Sequence, residues 1–203
     1  MVTSRASSKV SSGRILGKHL AVDPAISLLT SHLLSYRFMA QRFTQDDAFS
    51  EQVSTAIQTK QKLQEVLSAS RAQKLIPPTP LTIIGFAETA TALGHGFFEK
   101  FAGDVQFVHT TREHLVEVAP VICFEEEHSH ASSHRVYADE SIFLRQAEVV
   151  LVDDEMTTGK TNGNIIRQMH ETYPHLTSFT LVTILDFRTD AAREAMQQMA
   201  DEL

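Results

Sequence analysis

Residues 149–161 constrain this chain more than any other stretch. Val149, Val150, Leu151 and Val152 are consecutive β-favouring apolar residues. They run into the adjacent carboxylates Asp153 and Asp154, then Glu155, Met156, Thr157, Thr158, Gly159, Lys160 and Thr161. An apolar run without polar alternation reads as a strand buried on both faces, which belongs in a parallel sheet covered by helices. Open α/β sheets bind ligands at the carboxyl ends of their strands. The helix-like segment that follows supplies backbone N–H groups and the positive end of a macrodipole, a setting that suits a phosphate. Gly159 admits close approach or a positive φ, and the threonine hydroxyls add short donors. The two carboxylates would repel a bare anion. They suit a sugar phosphate, whose hydroxyls can donate to them, or a divalent cation lying between them and the phosphate. Gly159, Lys160 and Thr161 also look like the end of an ATP-binding P-loop, but that motif needs a glycine five residues earlier, where Asp154 stands. The competing reading is an ordinary strand, turn and capped helix.

The rest of the chain is read around that stretch. With 203 residues, 42% of them apolar, it suits one domain with an appendage or two small ones. No apolar run is long enough to cross a bilayer. Residues 1–13 are Ser-rich, carry Arg5 and Lys9, and lead into no apolar core, so they read as a disordered lead-in, with a transit peptide as the alternative, rather than as a secretory signal. The single cysteine, Cys123, excludes an internal disulfide and fits a reducing compartment. A formal charge of −7 disfavours non-specific nucleic-acid binding through a broad basic face.

Asp23 and Pro24 mark a helix start that runs to about Phe43, with Ile26, Leu29, Leu33 and Phe38 as its apolar stripe. A second helix is expected from Asp47 to Gln73, and the prolines at 77, 78 and 80 end the helical region. Residues 1–80 are thus a helical N-terminal region and 81–203 an α/β core. Residues 81–86 form the first core strand, followed by Ala87, Glu88 and Thr89 at the opening of a helix. Together Phe86, Ala87, Glu88 and Thr89 make a second anion-cradling turn. Glu88 is awkward there and reads as a helix cap, a magnesium contact or a contact to another subunit. Residues 104–109 form the next strand, with Arg112 beyond its end. Arg112 is either a bidentate cation for converging phosphates or a solvated helix-start charge.

Residues 116–124 and 134–137 read as two strands joined by the polar run 125–133. In that run His128 and His130 are either proton donors to leaving oxygens or an acceptor, or solvated surface histidines. The mixed Glu and His of this run have no recognised metal-ligand spacing. A short helix over 139–146, a helix over 162–171, a buried strand over 178–185 and a final helix over 190–203 complete the reading. Asp186, Phe187 and Arg188 follow the last strand. They read as a base-stacking ring with a polar reader on either side, or as a packed ring and a capping Asp. The absence of a turn signal after the last helix is what the core part of a longer protein would show.

Residues 149–161 resemble the phosphoribosyl-pyrophosphate (PRPP) motif of type I phosphoribosyltransferases: an apolar strand, two acidic residues, two variable residues, then Thr-Thr-Gly-x-Thr. The resemblance implies a central parallel sheet flanked by helices, a hood over the base site built partly from the N-terminal segment, and a flexible loop at 125–133 that closes over the reacting centre. It implies that residues 155–161 hold the 5′-phosphate and that Phe86, Ala87, Glu88, Thr89 and Arg112 hold pyrophosphate. Asp153 and Asp154 would serve the ribose, with Mg²⁺ carried by PRPP and no dedicated metal site. Residues 186–188 would face the base. Leu16-Gly17-Lys18-His19, residues 85–94, Thr111-Arg112-Glu113 and residues 126–131 also resemble the phosphoribosyltransferases of bacterial tellurite-resistance, or stress-response, gene clusters. The expected activity is Mg-dependent transfer of phosphoribose from PRPP to a nitrogenous base or related acceptor, in a cytoplasmic homodimer with no membrane or nucleic-acid partner. The alternative is a non-catalytic PRPP-sensing regulator, which salt-sensitive nucleic-acid binding would distinguish. PRPP synthesis fits less well, because the chain is short and has no obvious second domain.

Overall fold

The computed structural model describes residues 15–16, 21–125 and 133–203. Helix α1 (Pro24–Phe43) begins as its cap residues dictate: the Asp23 carboxylate accepts the Ala25 N–H at 2.9 Å, with Pro24 in the first turn. The expected single helix from Asp47 to Gln73 is instead two, α2 (Ala48–Thr59) and α3 (Leu63–Ala72). Lys60 and Lys62 adopt left-handed conformations at φ 57° and 55°, which ends the hydrogen-bond ladder and lets α3 fold back. Val53 of α2 and Val66 and Leu67 of α3 thereby share one apolar cluster with Ile26 and Leu29 of α1.

The core continues as β1 (Leu81–Gly85), α4 (Thr89–Glu99), β2 (Val105–Thr111), β3 (Ile122–Glu125) and β4 (Ser133–Val136). After these come α5 (Ser141–Leu144), β5 (Glu148–Met156), α6 (Lys160–Thr172), β6 (Phe179–Asp186) and α7 (Asp190–Glu202). The six strands form one sheet in the order β3-β4-β2-β1-β5-β6. Strands β2, β1, β5 and β6 are mutually parallel, and β3 and β4 add an antiparallel hairpin at the β2 edge. This is the α/β class expected, with β1 and β5 adjacent at the centre, so the two strands that lead into anion-cradling turns end side by side. Residues 116–121 do not extend β3. Val116 is 88% exposed, Pro120 follows shortly after, and Val121 joins the hairpin through its N–H to the Val136 carbonyl just before β3 begins.

The three N-terminal helices dock at the end of the sheet away from those turns. Phe38 packs edge-on against Phe97 and Phe101, and the Ser35 hydroxyl donates to the Phe97 carbonyl, at the carboxyl end of α4. Arg42 pairs with Glu148 at 2.9 Å, at the amino end of β5. Lys100 is buried, donates to the carbonyls of Ser70 and Gln73 at the end of α3, and lies over the Tyr36 ring. The expectation that this region covers the base site is therefore corrected for its described helices: apolar burial against α4 holds them at the opposite pole. No helix among the described residues is long and apolar enough to cross a membrane.

Candidate functional site

Strand β5 does not stop at Val152. It stays paired with β6 in unbroken register as far as Met156 opposite Asp186, so both aspartates lie within the strand. Alternation along a strand sends neighbouring side chains to opposite faces. Asp154 is 8% exposed and Met156 is buried, whereas Asp153 and Glu155 are half-buried. The Asp153 carboxylate accepts the N–H of Asp154 at 2.9 Å. The chain then turns through 157–159 into α6. Gly159 sits at φ 82°, and the first helical bond runs from the Gly163 N–H to its carbonyl at 2.9 Å. The Thr158 hydroxyl accepts the Lys160 N–H at 3.3 Å, fixing the turn from within.

The β1 turn is built alongside. The Phe86 N–H donates to the Val152 carbonyl at 3.0 Å, continuing the ladder to β5. The Ala87 N–H donates to the Thr110 hydroxyl at 2.7 Å, and that oxygen lies 2.9 Å from His134 Nδ1. One buried hydroxyl at the end of β2 thus ties the Ala87 turn to the antiparallel hairpin. The peptide bond between Ala87 and Glu88 is cis. Glu88 occupies the N-cap position of α4 but makes no side-chain cap bond, so the capping alternative for it does not hold.

Both turns open into one cleft of ≈ 250 Å³. Phe86, Ala87, Glu88, Thr89 and Arg112 line one side, and Asp153, Asp154, Glu155, Met156, Thr157, Thr158, Gly159 and Thr161 the other. Lys160 is exposed and lies outside the lining. Two further lining residues, His134 and Asn162, were not singled out from sequence. His134 is buried, with its ring stacked on Phe124 at 5.2 Å and edge-on to Phe86. The inward phase of β4 is the signal that could have found it. Asn162 directly follows the threonine that ends the motif.

Asp186, Phe187 and Arg188 are not brought to the cleft. The Arg188 guanidinium donates to both Asp186 carboxylate oxygens, at 3.0 and 2.9 Å, and Arg193 donates to the same group at 2.6 Å. Burial alone would push the Asp186 carboxyl up, but the bonds from Arg188 and Arg193 outweigh it and hold the group below the usual carboxylate range. Phe187 is 60% exposed. Asp186 and Arg188, expected to flank a base-stacking ring, instead pair with one another, and neither lines this cleft. His128 and His130 lie outside the described residues.

The electrostatics of the cleft are lopsided. Glu88, Asp153, Asp154 and Glu155 face it together with the Arg112 guanidinium, so a bare polyphosphate meets more negative charge than positive. Among the described residues no group of three or more His, Cys, Asp or Glu forms a metal cage. The carboxylate oxygens that line the cleft are the donor type a hard cation such as Mg²⁺ takes.

A family model described as phosphoribosyl transferase matches residues 8–203. Similar solved structures include an adenine phosphoribosyltransferase from Giardia lamblia complexed with 9-deazaadenine (17% identity, 72% of this chain and 79% of that chain, TM-score 0.48). Another is an adenine phosphoribosyl transferase from Trypanosoma brucei in complex with AMP, pyrophosphate and ribose-5-phosphate (19%, 63% and 68%, TM-score 0.41). A third is a hypoxanthine phosphoribosyltransferase from Staphylococcus aureus (15%, 59% and 57%, TM-score 0.36), of whose length this chain spans little more than half. No curated protein matches the chain closely enough to count as a relative.

Proposed function

Since the chain belongs to the phosphoribosyl transferase family, we propose that the cleft binds PRPP and transfers its phosphoribosyl group to a nitrogenous base or related amine, releasing pyrophosphate. One observation carries this reading: two strand-to-helix turns, two adjacent aspartates and Arg112 converge on a single cleft at the carboxyl ends of neighbouring parallel strands. The 5′-phosphate lies on residues 155–161, where backbone N–H groups at the start of α6 and the hydroxyls of Thr157, Thr158 and Thr161 can donate to it. The pyrophosphate lies against Phe86, Ala87, Glu88, Thr89 and Arg112.

The reaction breaks the bond from ribose C1′ to the pyrophosphate oxygen, which leaves with the electron pair. The acceptor nitrogen supplies the pair for the new bond to C1′, and its proton passes to solvent. Asp153 and Asp154 accept bonds from the ribose hydroxyls and stabilise the positive charge that grows on the ring. Such oriented groups are each typically worth on the order of a few kcal/mol. Bound Mg²⁺ would offset charge on the leaving pyrophosphate, and Asp153, Asp154, Glu155 and Glu88 are the carboxylates able to share in holding it. Arg112 binds the leaving group from the opposite wall with its two-pronged donor set.

The product is a nucleotide or nucleoside-like metabolite. The likeness of residues 85–94 and 111–113 to the tellurite-resistance enzymes supports a role in a bacterial stress response, family membership supports a homodimer, and the single cysteine fits the cytoplasm. The test is incubation with Mg-PRPP and a panel of bases and amines, following pyrophosphate release. Acceptor-dependent release that EDTA abolishes supports the proposal. PRPP binding without release for any acceptor, together with salt-sensitive nucleic-acid binding, would favour a PRPP-sensing regulator instead.

A further inference from the structure

We propose that Arg188 is a positioning residue for the 5′-phosphate turn, holding Gly159 from beneath through its side-chain stem while Asp186, itself held by Arg193, fixes its head. The proposal rests on the phosphoribosyl reading of the cleft and assigns this cluster a task other than contact with the base. The left-handed Gly159 has no room below it: an added Cβ would lie 2.6 Å from Met196 Cε and 3.1 Å from Arg188 Cδ. One helical turn on, an added Cβ at Gly163 would lie 3.4 Å from Met199 Sδ. Residues four apart share a helix face, so α7 presses Met196 and Met199 against the very end of α6 that is to hold the phosphate.

The guanidinium is locked at every visible point. Nε and Nη2 grip the Asp186 carboxylate, and Nη1 lies 3.1 Å from Met196 Sδ. Arg188 is 4% exposed. Its backbone N–H also donates to Asp186 at 3.1 Å, and the neighbouring Phe187 N–H donates to the Met156 carbonyl at 2.8 Å, the last residue of β5 before the turn. The segment after β6 is thus bolted both to the strand that enters the turn and to the glycine that leaves it. Anion binding by backbone N–H groups depends on their aim, and a site left unsupported by its surroundings loses that aim. Lysine at 188 keeps the stem but loses the fork that fits a carboxylate in two places.

The test measures, by calorimetry, Mg-PRPP, ribose 5-phosphate and inorganic pyrophosphate binding to the wild type, Arg188→Ala, Arg188→Lys and Arg193→Gln. Arg188→Ala should weaken ribose 5-phosphate and Mg-PRPP about tenfold or more and leave pyrophosphate within about twofold, since that ligand uses the β1 turn. Arg188→Lys should recover part of the loss, and Arg193→Gln should show a smaller loss of the same pattern. If Arg188→Ala does not fold, the other two variants carry the test. Equal ribose 5-phosphate affinity in all folded variants, or an equal loss of pyrophosphate, overturns the positioning role and leaves the phosphoribosyl reading standing. A wild type that binds neither Mg-PRPP nor ribose 5-phosphate overturns both.

Discussion

Gly159→Ala separates the backbone and steric parts of the phosphate turn. Gly159 has φ 82° and ψ 3°, and an L-residue in the left-handed region costs roughly 1–2 kcal/mol. The new methyl would sit 2.6 Å from Met196 Cε, far inside the roughly 3.5–4.0 Å carbon–carbon optimum. Relief of such overpacking costs about 1–3 kcal/mol, toward the lower end here because a methionine terminus can swing away. The sum is about 2–4 kcal/mol, and for a chain of this length each kcal/mol lowers Tm by roughly 2–4 °C, so scanning calorimetry should show a fall of about 5–15 °C. In a Met196→Ala background the cost of Gly159→Ala should shrink by about 1 kcal/mol, the φ part remaining. A fall below about 2 °C, or a cost unchanged in the Met196→Ala background, would refute the claim that the turn is held this tightly.

Other consequences are as direct. Asp153→Asn combined with Asp154→Asn should lower turnover by about 10²–10³ or more with the melting transition retained; unchanged turnover would defeat their role. Thr158→Val removes a hydroxyl that also orders the Lys160 amide, and should weaken Mg-PRPP by about 1 kcal/mol, or fivefold. Thr110→Val leaves the Ala87 N–H without its acceptor, which should cost about 1–3 kcal/mol of stability and weaken pyrophosphate binding. His32 is buried against Ser70 and near Lys100; burial, then the Lys100 charge, pushes its pKa from 6.5 down to about 4. The unfolded chain therefore takes up this proton first. Stability from this group is full above pH 6.5 and is lost as pH falls toward 4, by up to about 3 kcal/mol. His32→Gln should flatten that part of the melting profile between pH 7 and 4.5, and an unchanged profile would count against it.

What was legible in the sequence was whatever local composition encodes. The apolar runs of β1, β5 and β6, the Asp23 cap and the backbone turn at Gly159 all stand where the residues put them. The break between α2 and α3 was hidden because two lysines, neither glycine nor proline, take the left-handed conformations. The extension of β5 through its aspartates was hidden because pairing with β6, a tertiary effect, overrides their low strand propensity. Val116 and Val118 read as strand but pair with no strand among the described residues, and stay exposed. The mutual pairing of Asp186 and Arg188 was illegible for a similar reason. Each residue type suits base recognition, and only the fold of the segment after β6 shows that they face one another. His134 takes the inward phase of β4, which alternation does encode, but only the hairpin's pairing with β2 brings that strand to the cleft.

The most direct measurement is a crystal structure of the protein with Mg-PRPP bound. The account predicts the 5′-phosphate on the amides and hydroxyls of residues 157–161, the ribose hydroxyls on Asp153 and Asp154, and the pyrophosphate between Arg112 and the Ala87 turn. Density for the sugar phosphate at any other place on the protein, with residues 153–161 making no contact to it, would contradict the account.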